Sequence, residues 1–402
     1  MQKLKLLISI SIVFLVTGCW NYRELNNLAL VSAIGIDEKD GLYNVSVQIM
    51  DPTQQSGSNN SSSSIEATPI DVHQAQGKTI LEALNNIVLE EPKELFFGHT
   101  DLVVISDSLA KKGIEDFIDY LLRDRESRKI FPVAIVKNSN AIDIIKLVTP
   151  IEVISAKSIS YSLNSVKKIN GTVSDRLFDE VLMCMFIEGR EATITAIELV
   201  GPKDKGESKD NQSTSEASTS FLVSGSAVLL DDKVVGYLSK EESFAYTFMR
   251  GLIESSVLSV PCDKEGNYAG ITLEKNKTDI KTIIEDDKPV GEINVDIKAV
   301  ISEFNCKLNL KKNNNITKIE EATNKEMKKI LDTTLSKVQK EYKSDIFGFG
   351  EYLYKNNYKI WKKYRKDWNN LFSNMEYKIK VKTTIRNVGA IIDSTKNSYE
   401  KD

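Results

Sequence analysis

Histidine is scarce in this chain of 402 residues, which contains only His73 and His99. A hydrolase that used a histidine base would need one of these two residues. His73 follows a polar low-complexity stretch, which is a poor position for a rigid catalytic group. His99 lies in the run Phe96–Asp101, where local hydrogen bonds are the simpler explanation for its presence. The shortage of histidine therefore weighs against histidine-based catalysis.

Other patterns of catalysis and ligand binding are also missing. The sequence contains no GxxxxGK[ST], GxGxxG, HExxH or GxSxG motif. Carboxylate pairs such as Asp231-Asp232 and Asp286-Asp287 stand in solvated sequence that is typical of turns. The formal net charge of −4 disfavours a nucleic-acid partner. We therefore expect no enzymatic activity, no cofactor, no metal site and no nucleic-acid binding.

The four cysteines form neither a metal motif nor a disulfide framework. Cys19, Cys184, Cys262 and Cys306 show no CxxC spacing. Cys184 stands in the apolar run Val181–Phe186 and is predicted to be a buried small hydrophobe. The sequence leaves open whether Cys262 and Cys306 form a disulfide, because it does not set the geometry that such a bond needs.

The beginning of the chain has the pattern of a lipoprotein signal peptide. A short basic segment precedes the apolar run Leu6–Val16, which as a helix would span about 16 Å, well short of a ~30 Å hydrocarbon core. Small residues, Thr17 and Gly18, then precede Cys19. We predict a signal peptide at residues 1–18, cleavage between Gly18 and Cys19, and a lipid on the Cys19 thiol. An ordinary signal peptide followed by an incidental cysteine is the alternative.

The rest of the sequence alternates between strand-like and helix-like segments. Polar and apolar residues alternate in Tyr43–Ile49, which predicts a half-buried strand. Ile80–Val88 has helical spacing, and Leu102–Ile105 is typical of a buried strand. Such alternation predicts an α+β fold with several domains, in which helices pack on mixed sheets.

A polar stretch, Gly201–Ser220, supplies the clearest boundary. It contains no large apolar side chain, so it is a linker or an exposed insertion. It separates an N-terminal part at residues 19–200 from a C-terminal part at residues 221–395. Farther on, Thr317 and Glu320 form a capping-box pattern, which predicts the start of a long helix at Thr317.

Basic residues accompany aromatic residues near the end of the chain. Such interleaving suits single-stranded nucleic acid, but a helix with a buried aromatic stripe and solvated lysines explains it better. Contact with anionic lipid headgroups or with a membrane partner is a third interpretation. The basic residues are Lys359, Lys362, Lys363, Arg365 and Lys366 on the predicted helix, and Lys378, Lys380, Lys382 and Arg386 on the final strand.

Several separated motifs resemble the Ger(x)C family, the lipoprotein C subunits of spore germinant receptors. The tract Cys19–Val31, which continues into Ile34–Asp37, is similar to the mature start of that family, although Asn21 replaces the usual aspartate. Further similar motifs follow in the family's order along the chain. They are Phe97-Gly98-His99, Arg123–Glu126, Asp345–Gly350, Trp361 and Trp368.

The resemblance implies a fold and a role. It implies three mixed α/β domains, so the first half would subdivide near residues 150–190, and it implies a non-enzymatic subunit. The subunit would act with the receptor's A and B membrane subunits in nutrient-triggered germination. It would be lipid-anchored to the outer face of the cell membrane, which in the spore is the inner membrane. Only Cys19 carries over as a functional residue.

Two of the similar tracts, residues 20–37 and 345–350, are candidate partner contacts or fold determinants. The candidate contact residues are Trp20, Arg23, Glu24, Phe347, Gly348 and Gly350. The two glycines are expected to serve backbone geometry that side chains would obstruct. A substrate-binding lipoprotein of an uptake system and an exported hydrolase that uses His99 are the alternative functions. The sequence leaves open which germinant acts and whether the chain binds a small molecule.

The lipobox gives a direct prediction. Cys19→Ala removes the acceptor thiol, so we expect a folded protein that leaves the membrane fraction and assembles poorly. Membrane fractionation with mass spectrometry of the amino-terminal peptide measures this. A variant that remains membrane-bound and acylated would refute the predicted site.

Overall fold

The computed structural model describes residues 24–50, 70–126, 128–152, 154–173, 177–262 and 266–387. These residues form two mixed β-sheets with helices packed against them. The predicted α+β class is therefore confirmed.

The first sheet has nine strands, of which four central ones are parallel. The strands are β1 (Leu28–Lys39), β2 (Leu42–Met50), β3 (Ile70–Gly77), β4 (Glu94–Phe96), β5 (Leu102–Ser106), β6 (Val133–Lys137), β7 (Thr193–Val200), β8 (Ser220–Leu230) and β9 (Lys233–Leu238). Their order is β3-β2-β1-β5-β6-β7-β8-β9, and β4 pairs with β1. Strands β1, β5, β6 and β7 run parallel, so their amino ends lie at one edge of the sheet.

Helices cover both faces of the first sheet. They are α1 (Ile80–Ile87), α2 (Asp107–Lys112), α3 (Glu115–Arg123), α4 (Ala141–Ile145), α5 (Ser155–Ile169) and α6 (Phe178–Phe186). In β5, Val103 and Ile105 face one hydrophobic cluster while Leu102 and Val104 face the other. A strand that is buried on both faces is apolar throughout, which explains its uninterrupted run of apolar residues.

Residues 150–190, where a further division was expected, form α5 and α6. Ile159 and Leu163 of α5 join the cluster on one face of the first sheet. Phe178, Val181 and Cys184 of α6 join the cluster on the other face, which confirms the burial predicted for Cys184. This segment therefore packs on the first sheet from both sides.

The polar stretch Gly201–Ser220 connects two paired strands of the first sheet. β7 and β8 run antiparallel in register from Thr193↔Val228 to Val200↔Ser220. The stretch forms two short helices, α7 (Lys203–Gly206) and α8 (Asp210–Ser213). Buried Asn211 donates hydrogen bonds to the carbonyls of Val148 and Thr219, both at 2.8 Å. The stretch is thus an insertion, and the first sheet continues past residue 221 to the end of β9.

The second sheet has the order β10-β11-β12-β13. Its strands are β10 (Ser256–Pro261), β11 (Tyr268–Glu285), β12 (Lys288–Phe304) and β13 (Glu376–Asn387). β11 and β12 form a long hairpin around Asp286 and Asp287, whose φ angles are 47° and 61°. Two positive φ values suit the tight turn that matches the twist of a hairpin. β13 returns much later in the chain and pairs with β12 in parallel.

Among the described residues of the second half are five further α-helices, which build a second hydrophobic core with the second sheet, and Val228 and Leu238 of the first sheet join this core. The helices are α9 (Lys240–Met249), α10 (Asn313–Lys337), α11 (Phe349–Asn356), α12 (Tyr358–Tyr364) and α13 (Trp368–Asn374). A π-helical segment, Val338–Tyr342, continues the second of these helices. The predicted start of α10 at Thr317 is wrong, because the helix already begins at Asn313. The Glu320 carboxylate instead accepts a hydrogen bond from the Ile385 backbone N–H of β13, at 2.8 Å.

A disulfide links Cys262 and Cys306, whose Cα atoms are 6.1 Å apart. Cys262 follows β10 and Cys306 follows β12, so the bond joins two strands that flank β11. The sequence left open whether these two cysteines pair, and the structure shows that they do.

Reduction of this disulfide should destabilise the second half. The two cysteines are separated by 44 positions, and closing a loop of that size is worth about 4 kcal/mol in the chain-entropy treatment. Urea denaturation with and without reductant measures the change, and mass spectrometry verifies the reduction. An unchanged midpoint in protein shown to be fully reduced would contradict the expectation.

Candidate functional site

The tract Asp345–Gly350 lies between the two sheets and is organised by one buried carboxylate. Asp345 Oδ1 accepts hydrogen bonds from the backbone N–H groups of Gly348 at 2.8 Å and Phe349 at 3.2 Å. Asp345 Oδ2 accepts from the Gly350 N–H at 2.8 Å and from Trp368 Nε1 at 2.9 Å. Complete burial raises the pKa of Asp345, while these four donors favour its charged form. The carboxylate thus fixes the loop and the Trp368 ring together.

Two glycines permit close contact between the halves of the molecule. A Cβ at Gly350 would lie 2.6 Å from Trp368 Nε1 and 2.8 Å from the Gly189 carbonyl oxygen. Gly189 has a φ of +83°, and a Cβ there would lie 2.3 Å from the Gly350 carbonyl carbon. Neither position can accept a side chain without moving the backbone opposite it.

Backbone hydrogen bonds and ion pairs also connect the two halves of the molecule here. We call residues 188–191 and 344–351 the junction. The Glu351 N–H donates to the Gly189 carbonyl at 2.8 Å, and the Glu191 N–H donates to the Asp345 carbonyl at 3.0 Å. The Glu351 carboxylate lies 3.0 Å from Arg190 and 2.6 Å from Lys355. The side chains of Arg190 and Glu351 are about nine-tenths buried, so solvent screens their attraction little.

The candidate contact residues in this tract are interior. Phe347, Gly348 and Gly350 are all buried, so they present no surface to a partner in this conformation. They build the junction, which is the fold-determining role considered as the alternative. Glu24 is exposed at the beginning of the described chain.

The remaining candidate residues lie outside the described part of the chain. They are Gly18, Cys19, Trp20 and Arg23.

A cleft of about 550 Å³ opens beside the junction. Trp361 and Trp368 line it with their rings edge to face, and Trp361 Nε1 donates to Glu188 at 2.6 Å. Glu191 also lines the cleft and accepts a hydrogen bond from the Asp231 N–H at 2.9 Å. Burial, with the neighbouring charges of Asp231 and Asp345, raises the pKa of Glu191 to about 7. The same lining includes Arg190, Arg365 and Lys366, so indole rings and side chains of both charges surround a space that suits a small polar molecule.

The basic residues near the carboxyl end lie on solvated faces. Trp361 and Trp368 are buried, while Lys359, Lys362 and Lys363 are exposed. On β13, Lys378, Lys380 and Lys382 alternate with inward-facing residues, and Lys378 pairs with Glu285 at 2.7 Å. The interpretation as a buried aromatic stripe with solvated lysines is therefore confirmed for Trp361, Trp368 and Phe372, whereas Tyr358, expected in the same stripe, is 51% exposed.

A second cleft, of about 440 Å³, lies at the amino ends of β1, β5 and β6. The Phe97-Gly98-His99 motif lines it, together with Arg128 and Lys157. His99 is exposed and lies against the Phe96 ring, with centroids 5.9 Å apart. The residues that line this cleft include no serine or cysteine that could pair with His99.

His73 lies on β3, away from both clefts. Its Nε2 is 3.1 Å from Asp71 and 3.4 Å from Glu91. Within the described ranges, no cluster of three or more histidine, cysteine, aspartate or glutamate residues could hold a metal ion. None of the helices in the part that the structure covers is both long and apolar enough to cross a membrane.

Known proteins match nearly the whole chain. Residues 21–199 match the family described as "Spore germination protein N-terminal domain", and residues 224–389 match "Spore germination B3/ GerAC like, C-terminal". The chain is a Ger(x)C family protein. The gap between the two family regions, residues 200–223, contains the insertion and the first residues of β8, although the first sheet itself ends only after β9.

Relatives in Bacillus subtilis (strain 168) extend over almost the full length of this Ger(x)C protein. Spore germination protein KC is 27% identical over 97% of each chain, and spore germination protein B3 is 24% identical over 93% of this chain and 95% of its own. The crystal structure of the GerBC protein aligns with a TM-score of 0.53 at 20% identity. It covers 88% of this chain and 97% of its own. That likeness supports the shared fold.

Sequence reasoning missed the N-terminal half of the junction. Nothing local distinguishes Gly189 or Glu191, because their roles come from contacts more than 150 positions away in the chain. The Asp345–Gly350 tract was the one part of the sequence that pointed to this contact, because closely spaced glycines indicate that another segment of backbone comes near.

Glu191 should make stability depend on pH. Its folded pKa of about 7 lies above the ordinary glutamate value, so the folded state retains a proton that the unfolded state releases. Stability should therefore fall as pH rises from about 4.5 to 7 and then level off. Glu191→Gln keeps an oxygen acceptor for the Asp231 N–H and removes the charge. We expect it to stabilise the protein at pH 8 by about 3 kcal/mol, and at pH 4 by nearly nothing.

Urea denaturation at both pH values measures this difference. Glu216→Gln replaces an exposed glutamate and serves as the matched control, for which no pH-dependent change is expected. An equal effect of Glu191→Gln at pH 4 and pH 8 would show that folding does not raise the pKa of Glu191.

Proposed function

We propose that this protein is the lipid-anchored C subunit of a spore germinant receptor, a non-enzymatic partner of the A and B membrane subunits. It would be attached through Cys19 to the outer face of the cell membrane, which becomes the inner membrane of the spore. In this position it would take part in the response of the spore to small nutrients.

The observation that carries the proposal is the end-to-end match to spore germination proteins. The chain aligns with spore germination proteins KC, B3 and A3 over 93–97% of its length, and both family regions follow in order. The lipobox at residues 16–19 supports the anchor, because small residues precede the cysteine directly after an apolar run. The buried junction supports a structural role, since Arg190 pairs with Glu351 across it and Asp345 holds its loop through hydrogen bonds.

Germination of spores that lack the gene tests the proposal. Purified spores of the native host are exposed to a panel of amino acids, sugars and nucleosides, and the loss of optical density is followed. We expect selective loss of the response to one nutrient class, restored by the intact gene and not by Cys19→Ala. The exposed substitution Glu216→Gln is the matched control and should restore the response fully. An unchanged response in a strain without other receptor genes would reject the role.

Solute binding remains the second candidate because of the cleft beside the junction. Its two tryptophans and the acidic group of Glu191 resemble the lining of small-molecule sites. A solute-binding protein would be stabilised by its ligand in isolation, by about 2.7 kcal/mol at a hundredfold excess over Kd. Thermal unfolding of the purified protein with the same nutrient panel distinguishes this function from a purely structural one.

A further inference from the structure

Five strongly exposed apolar side chains of the first half share one edge of the first sheet, whereas Ile169 and Leu81, which are 70% and 64% exposed, are not part of this group. Ile151 is fully exposed at 101%, Leu89 is 85% exposed, and Met183 and Phe186 are 69% and 68% exposed. Ile130 is also largely exposed. We call these five residues the apolar rim.

The connections between strands place the apolar rim at one edge of the first sheet. α1 returns from the carboxyl end of β3, so Leu89 lies in the connection that leads to β4, whose Glu94 pairs with Leu28 at the start of β1. Ile130 directly precedes β6. Both residues therefore lie near the amino ends of the parallel strands.

The other three residues lie at the same edge. Ile151 precedes α5 by four residues, and Lys157 in the first turn of α5 lines the second cleft together with Asp101 at the start of β5. α6 begins where Leu177 bridges to Pro132 beside β6, and it leads to the start of β7. Met183 and Phe186 are one helical turn apart on α6, so their side chains project from the same face.

Helix α6 is apolar on its outer face as well as on its inner face. Phe178, Val181 and Cys184 fill the core, while Met183 and Phe186 face outward. Asp179 and Glu180 make the first turn of α6 polar, so the uncovered apolar surface lies toward the end of the helix, around Met183 and Phe186. Neighbouring exposed apolar side chains of this size form a candidate interaction surface.

The start of the chain indicates what covers the apolar rim. The described chain begins at Glu24, at the same edge of the sheet, and Cys19 stands five positions earlier. Five residues reach at most about 18 Å when fully extended. If Cys19 carries the proposed lipid, this edge of the sheet lies within that distance of the bilayer.

We propose that the apolar rim rests in the membrane interface and orients the subunit on the bilayer. The proposal rests on the proposed anchor at Cys19 and adds a second, non-covalent contact. The charged side chains at this edge are mixed, with Arg128 and Lys157 near Asp101 and Glu152. The contact therefore depends on apolar burial, and neutral lipid suffices for it.

Tryptophan reporters in the full acylated protein test the contact. Phe186→Trp and Ile151→Trp place a fluorophore on the apolar rim, and Leu81→Trp places one on a residue that is 64% exposed near the opposite edge. The protein is reconstituted into phosphatidylcholine vesicles with brominated acyl chains, and emission of the unsubstituted protein is subtracted. We expect at least twofold quenching of both rim reporters and little quenching of Leu81→Trp. Rim reporters quenched no more than Leu81→Trp would overturn the proposal.

Two further measurements separate the possible causes of failure. Mass spectrometry of the amino-terminal peptide reports the anchor independently, so a protein without lipid refutes the anchor and not the apolar rim. If quenching required the anionic lipid phosphatidylglycerol, the contact would depend on charge and not on apolar burial, and the proposal would be overturned. Hydrogen exchange of α6 that slowed only with the A and B subunits would assign the surface to those subunits, and would also overturn it.

Discussion

The burial of one carboxylate, that of Asp345, is the constraint on which the contact between the two halves depends. A charge without solvent is costly unless donors surround it, and here three backbone N–H groups and an indole N–H supply them. To present three consecutive N–H groups, the backbone must curl tightly, and Gly348 allows this with a φ of +85°. The polar interaction thus sets the backbone path, and the path then determines which surfaces meet.

The features beside this loop follow from the same arrangement. Trp368 is held by Asp345, its ring meets Trp361, and Trp361 reaches Glu188 in the first half of the chain. Burial of Glu191 at this contact is the main cause of its raised pKa, and the nearby charges of Asp231 and Asp345 raise it further. The structural loop and the neighbouring cleft are therefore parts of one network.

Local patterns in the sequence predicted local structure well. The alternation at Tyr43–Ile49 and the apolar run at Leu102–Ile105 both became strands. The first was expected to be half-buried, and that part of the prediction is wrong, because Ser46 and Gln48 on its polar face are buried as well. The polar stretch at residues 201–220 was recognised, but its position inside one sheet depends on the pairing of β7 with β8. The start of α10 was misplaced because Glu320 serves β13 and not its own helix.

The functional surfaces were less accessible to sequence reasoning. The Asp345–Gly350 tract was conspicuous, yet whether it faced a partner or the interior depended on residues far away in the chain. The apolar rim was hidden for a different reason. Met183 and Phe186 occur in a run that would suit a core, and only the packing of α6 shows that one side of the helix is uncovered.

The place of β13 in the second sheet has a consequence for how the protein is made. β12 ends at Phe304, and the strand that pairs with it in parallel begins only at Glu376. If the chain is secreted, the amino-terminal sheet can close while later residues are still on the other side of the membrane. The second sheet stays incomplete until β13 has arrived, and pairing between segments so far apart in the chain is slow. Until then β12 presents an open edge, so this half depends most on timely and complete delivery of the chain.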